Sequence, residues 1–298
     1  MDKSVRIIRS IILILILLLI FFYLDNMDNP KPLKKDINED EIYFKIDFID
    51  VGQADCILVS CNGKNMLVDA GNNEDGHKIV QYLQNQNIKE FDYIIATHAH
   101  EDHIGGIDNV MKNFSWKHLY MPSTVVDNMT YKDITNLLEK ENRIFETPKI
   151  GDTFTLGNAM ITVLSIKNDL ENINDNSIVL RIAYKNTSYL LTGDATTSIE
   201  KELLEKEIQS DVLKVSHHGS YDANSSQFLY KVHPRYAIIT AEKENEYGFP
   251  KEGVLNRLEK IGAIIYRTDL DGTIHLVSDG EAIQITAEHT DTNEIEKR

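Results

Sequence analysis

The chain has 298 residues, with 31 basic and 47 acidic side chains and a formal charge of −16. The imbalance is uneven: Lys3, Arg6 and Arg9 against Asp2 leave residues 1–24 at +2, so residues 25–298 carry −18. That excludes a protein coating nucleic acid with a basic face, though not a metal-assisted nuclease; the composition, 42% apolar and 26% charged, is globular and the length admits one large domain or two ordinary ones.

Residues 11–24 read IILILILLLIFFYL, an unbroken apolar run. At about 1.5 Å rise per residue it falls short of a hydrocarbon core of about 30 Å, so length alone fits either a signal-peptide core or a spanning helix. The flank Tyr23-Leu24-Asp25-Asn26-Met27 lacks a small-residue cleavage pattern, which favours an uncleaved signal anchor over a cleaved signal peptide. Arg6 and Arg9 can snorkel, and cations before the run with Asp25 and Asp28 after it place the N-terminus in the cytoplasm. The expected organisation is a cytoplasmic stub and single-pass cell-membrane anchor over 1–25, an unpacked tether over 26–40, an extracytoplasmic domain over 41–287 and a disordered polar tail over 288–298.

Within the domain, strands are expected at 43–49, 55–60, 65–70, 93–97, 159–166, 177–184, 188–193, 211–216 and 236–240, where apolar, β-branched runs recur. Helical patterns occupy 77–86, 134–141, 198–207, 226–232 and 250–262, the last opening on Pro250 and stopping at Gly262. The first three strands meander through short turns such as Asn62-Gly63, helices and strands then alternate, and further strands close the domain around Asp271-Gly272 and Asp279-Gly280. This is an α/β domain in one piece. Cys56 and Cys61 are too far apart along a strand for a disulfide and read as buried thiols.

The densest chemical signal is THAHEDHIGG (97–106), directly after the strand YIIAT. His98, His100, Asp102 and His103 leave a strand end together, and imidazole with carboxylate suits zinc, manganese or iron. Gly105-Gly106 would let the backbone bend closely beneath the ions. Asp194 in LLTGDA, and His217 and His218 in VLKVSHHGS, also follow strands, although Asp194 could instead cap the next helix.

In the order FIDVGQADCILV (48–59), LVDAG (67–71), THAHEDHIGG, NDNSIVL (174–180), LLTGDA, LKVSHHGS, NEYGFP (245–250) and TDLDGTIHL (268–276), the sequence resembles the metallo-β-lactamase-fold hydrolases, most closely the hydrolase domain of ComEC-type competence proteins. The resemblance implies an αββα sandwich with two metal ions, Zn2+ or Mn2+, at one edge of the paired sheets. By position it implies His98 and His100 on the first ion, Asp102 and His217 on the second with His103 completing the cluster, Asp194 bridging, and Asp69 orienting a ligand histidine. Two departures stand out. Between the first cluster and Asp194, where many members of the fold supply another ligand histidine, only His118 occurs; and Phe249 stands where the competence pattern commonly has histidine.

The chemistry expected is attack on a phosphodiester by water activated between two cations, with Asp102 and Asp194 at its centre. Whichever of His217 and His218 is not a ligand, with His218 the working choice, joins Ser220 and Tyr247 as candidates for substrate contact or proton donation. The substrate class expected first is DNA, single-stranded above all, acting with or beside DNA-uptake machinery. The alternatives are a cell-surface phosphodiesterase for a wall polymer or phosphocholine group, and a non-catalytic metal-binding surface module.

Overall fold

The computed structural model describes residues 44–289. The anchor, the tether and the tail from residue 290 lie outside the described residues; among those described, no helix is long and apolar enough to cross a membrane. Two seven-stranded sheets face each other. The first orders β14 (Ile283–Ala287), β13 (Ile274–Ser278), β1 (Phe44–Phe48), β2 (Ile57–Cys61), β3 (Lys64–Val68), β4 (Glu90–Ile95) and β5 (Ser115–Tyr120). The second orders β12 (Ile264–Arg267), β11 (Tyr236–Ile239), β10 (Val212–Lys214), β9 (Thr187–Leu191), β8 (Val179–Tyr184), β7 (Ala159–Ser165) and β6 (Thr153–Leu156).

Alternation along the strands builds the centre. In β1 the buried residues Phe44, Ile46 and Phe48 point between the sheets, where they meet Ile161, Leu180, Ile182, Tyr189 and Ile238. Phe44 stacks on Tyr184 and Tyr189 at centroid distances of 5.1 and 4.7 Å. The outer face of the first sheet carries α1 (Gly76–Asn85), α2 (Glu101–Ile104), α3 (Ile107–Asn113) and α4 (Met129–Lys140) through Ile79, Leu83, Ile107, Ile134 and Leu138. The second sheet is covered by α5 (Thr197–Leu203), α6 (Ser226–Val232) and α7 (Glu252–Lys260) through Ile199, Leu203, Phe228, Val254 and Leu258, the last two a helical turn apart. A final short helix, α8 (Thr268–Asp271), follows β12. The layering is α, β, β, α.

The sequence pattern omitted β5, whose SWKHLY lacks apolar alternation, and β6 and α3, which are short. At the C-terminal end, backbone bonds from Glu288 to Thr273 and from His289 to Asp271, 3.0 and 2.9 Å, carry ordered chain past Ala287. Cys56 and Cys61 are free and buried.

Strand direction positions the site. β3 runs parallel to β4, and β9, β10 and β11 run parallel to one another. Their C-terminal ends deliver Asp69, the His98–His103 segment, Asp194, the His217–His218 pair and Thr240, and such ends are where α/β sheets place their chemistry.

Candidate metal centre

The loop after β4 is held from below. Asn128 caps α4 by accepting from the Tyr131 amide at 2.7 Å, and its side-chain amide donates to Ala99 O at 3.1 Å, tying helix to loop. Gly105 is required for packing: its φ is ordinary, but a Cβ there would lie 2.1 Å from Asn72 C and 2.2 Å from Asn73 N. The glycine therefore admits the neighbouring backbone strand of the Asn72 turn, a different role from the bend under the ions that the sequence suggested.

Four of the five histidines have one ring nitrogen occupied behind them. His103 Nδ1 donates to Asp69 Oδ2 at 2.7 Å. Asp69 is itself fixed by the Thr97 amide and hydroxyl at 2.8 and 2.7 Å. Because that hydroxyl spends its proton on Asp69, it receives His98 Nδ1 at 3.2 Å. His218 Nδ1 donates to Thr240 O at 2.9 Å, and His217 Nδ1 to Asp222 Oδ1 at 3.1 Å. The Nε2 atoms of all four rings are thereby left to face Asp194.

They divide between its two oxygens. Asp194 Oδ1 has His103 Nε2 at 3.2 Å and His218 Nε2 at 3.8 Å, while Asp102 Oδ2 lies 3.4 Å from His218 Nε2 and 3.8 Å from His103 Nε2. Asp194 Oδ2 has His217 Nε2 at 3.6 Å and His98 Nε2 at 4.0 Å, with His100 Nδ1 3.0 Å from His98 Nε2. The Asp102, His103, Asp194 and His218 donor atoms all lie within 4.8 Å of one another. His103 Nε2, His218 Nε2 and Asp194 Oδ1 are buried with no hydrogen-bond partner, a cost that native interiors rarely leave unanswered. Three orphaned atoms aimed at one point, with carboxylates between imidazoles, fit a divalent cation.

The electrostatics agree. Burial disfavours charge on Asp194, yet His103 and His218 beside it hold its carboxyl well below the usual range. Burial also opposes a charge on His103, but Asp194, Asp102 and Asp69 outweigh it and raise that imidazole well above its ordinary value. Burial, reinforced by His103, keeps His98 well below it and so neutral. The pocket carries a surplus of negative charge that a cation would neutralise.

The paired histidines separate, His218 standing with Asp102 and His103 and His217 on the side of His98 and His100. They do so on a cramped backbone: φ is +50° at His217 and +51° at His218, a left-handed conformation costing non-glycine residues about 1–3 kcal/mol each. Gly219 follows with φ +83°, and a Cβ on it would meet Pro250 Cβ at 2.5 Å. Asp194 is not a helix cap; Thr196 caps α5 through the Ser198 amide. Ser220 is buried, its amide donating to His217 O at 2.7 Å, while Tyr247 is exposed and stacks on Phe249 at 5.5 Å. Asp102 and Tyr247 both line a cleft of about 1180 Å³ walled by nine carboxylates, Glu242, Glu244 and Glu246 among them, against Lys78 and Lys243.

Two supporting residues, Asp55 and Lys214, escaped the sequence. Asp55 is buried beside Lys214 Nζ at 2.9 Å, accepts from the Thr240 hydroxyl, and lies 3.6 Å from His218 Nδ1. Burial works against its charge, but Lys214, His218 and His103 hold its carboxyl below the ordinary value. The only signal was a lone charge in each of two apolar runs, ADCILV and DVLKVS. Ser177, from the NDNS motif, accepts from the Asp194 amide at 3.0 Å and touches His98 Nδ1 at 3.4 Å.

Comparison with known proteins agrees with this architecture. Residues 49–241 match the family described as the metallo-beta-lactamase superfamily. The chain is 31% identical over 251 residues to ComE operon protein 3 of Bacillus subtilis, covering 77% of this chain and 32% of that protein. It is 29% identical to Recombination protein 2 of Haemophilus influenzae over 78% of this chain and 29% of that one, and 29% identical to competence protein ComA of Neisseria gonorrhoeae over 76% and 31%. The chain thus spans about a third of the length of these relatives. Among solved structures, CmlA, a diiron β-hydroxylase from Streptomyces venezuelae, superposes with a TM-score of 0.55 at 12% identity over 80% of this chain and 54% of that one. The metallo-beta-lactamase fold protein YhfI from Bacillus subtilis gives 0.51 at 14% over 75% and 95%. By the extent of the family match and the two-sheet architecture together, the chain belongs to the metallo-beta-lactamase superfamily.

Proposed function

We propose that this domain is a dinuclear metal-dependent phosphodiesterase, held outside the membrane by the N-terminal anchor and acting on DNA strands. The observation that carries the reading is the division of ligands about Asp194: each carboxylate oxygen faces its own histidines, and two orphaned buried nitrogens, His103 Nε2 and His218 Nε2, converge on Oδ1, itself without a partner. His98, His100, Asp194 and a further donor would hold one ion, and Asp102, His103, His218 and Asp194 the other. When bound, such ions acidify a water and neutralise charge on a phosphoryl oxygen. The chain's own contribution is orientation. Asp69 and Thr97 lock His103 and His98 with Nε2 forward, Ser177 fixes the Asp194 backbone, and Asp102 is the carboxylate of the set that opens onto the cleft. Phe249, edge-on to His217 at 5.7 Å, has no proton to give, so Tyr247 or solvent in the open cleft protonates the leaving oxygen. Support for DNA comes from relatives whose names refer to competence and recombination.

The acidic cleft favours a second reading, a cell-surface phosphodiesterase whose substrate pairs its phosphate with a cationic group, as a phosphocholine or wall-polymer ester does. Full-length chain in detergent, loaded with Mn2+ or Zn2+, is assayed on bis(p-nitrophenyl) phosphate, single-stranded DNA and teichoic acid. Cleavage of the first two, lost in His98→Ala, supports the DNA reading; cleavage of teichoic acid but not DNA transfers it to the second. Two bound ions with no hydrolysis of any of the three would leave a metal-binding surface module.

A further inference from the structure

Resting on the dinuclear reading, we infer that His217 is the ligand that completes the first metal group, with Asp222 orienting it, so that two adjacent residues serve different ions. The group around His98 and His100 needs a donor that the interval before Asp194 does not provide. His118, the single histidine there, sits away on β5, stacked on Tyr93 at 5.2 Å and bonded to Glu146 Oε1 at 2.7 Å. Asp175, Asn176 and Ser177 of the NDNS motif are committed elsewhere. Asp175 Oδ1 accepts from the Thr196 hydroxyl at 2.5 Å, the Asn176 side chain bonds the Asp169 backbone, and Ser177 Oγ faces Nδ1 of His98, the nitrogen turned away from Asp194.

His217 meets each requirement. Its Nε2 lies 3.6 Å from Asp194 Oδ2, the oxygen that His98 faces, and donor atoms on a tetrahedron with bonds of about 2.1 Å stand about 3.4 Å apart. Its Nδ1 is taken by Asp222, leaving Nε2 as the ligand atom, and its amide is held by Gly193 O at 3.1 Å, one residue before the bridging carboxylate. The left-handed φ at both His217 and His218 is the local cost of sending successive rings to opposite oxygens of Asp194. This group has one carboxylate, Asp194, where its neighbour has two, Asp102 and Asp194, so it attracts a cation less strongly and forms the weaker of the two sites.

The test is Mn2+ titration of the chelator-stripped full-length chain in detergent, followed by loss of the free-ion electron paramagnetic resonance signal. Wild type and His118→Ala bind two ions of unequal affinity. His217→Ala keeps the tighter ion and loses the weaker, or holds it at least about 100-fold more weakly, and Asp222→Asn weakens that same ion about 10- to 100-fold. Two ions at unchanged affinities in His217→Ala, with circular dichroism matching wild type, would overturn the inference while leaving the dinuclear reading intact. If His217→Ala does not fold, Asp222→Asn decides, and an unchanged weaker site overturns the role assigned to His217. A single ion in wild type overturns the inference but leaves a mononuclear hydrolase possible; no ion at all overturns both.

Discussion

Lys214 Nζ lies 2.9 Å from Asp55 Oδ2, an ion pair in which neither side chain exceeds 1% exposure. Lys214 ends β10 of the second sheet and Asp55 precedes β2 of the first, so the pair joins the two sheets directly behind the histidines. Lys214→Met strands a buried carboxylate and is expected to cost about 3–5 kcal/mol in urea unfolding, with the Asp55→Asn, Lys214→Met double variant losing less than the sum of the singles. Additive losses would show that the two residues act separately.

Gly105→Ala drives a methyl into the Asn72–Asn73 backbone, whereas Gly63→Ala meets no atom within 4 Å and is strained only by its φ of +74°. Gly105→Ala is expected to lower stability by about 3 kcal/mol or more, against about 1–2 kcal/mol for Gly63→Ala, in parallel denaturation curves. Equal losses would remove the close approach as the reason for the glycine.

His275 Nδ1 lies 2.9 Å from Asp47 Oδ1, and this hydrogen bond, opposed by partial burial, raises the imidazole above its ordinary value of 6.5. A raised folded-state value means that the pair's contribution is complete below the unfolded value of about 6.5 and fades as pH climbs through the higher folded one. Thermal unfolding of His275→Gln should therefore fall short of wild type at pH 5.5–6 and converge with it by about pH 9. A gap that does not change with pH would contradict the assignment.

The carboxylates of the cleft set its response to polyanions. Wild type is expected to bind single-stranded DNA weakly, with a shallow dependence on salt. Replacing Glu242, Glu244 and Glu246 together with lysine should tighten binding and steepen the slope of log K against log salt by up to about 2, at about 0.7 per phosphate contacted. Fluorescence anisotropy between about 50 and 200 mM salt reads both. A steep slope in wild type would show that the acidic wall is not what the strand meets.

The layered fold and the heart of the site were legible because their signals are local. Periodicity marked most strands and helices, and THAHEDHIGG, LLTGDA and LKVSHHGS each place candidate ligands directly after an apolar run. Asp55 and Lys214 were hidden because a charge in a strand reads as solvent-facing under period-two alternation, and β10, a central parallel strand, is buried at all three of its residues. The separation of His217 from His218 was equally illegible, since it follows from left-handed backbone at both positions, which neither residue type announces. The missing histidine before Asp194 looked like a gap in the sequence; in three dimensions the first of the paired histidines stands beside it.

The proposed dinuclear centre places Asp194 between two metal ions. Crystals of the chain grown with Mn2+ and measured at the manganese absorption edge test it most directly. Two anomalous peaks should flank Asp194, one against Asp102, His103 and His218 and the other against His98, His100 and His217. A single peak, or peaks distant from Asp194, would contradict it.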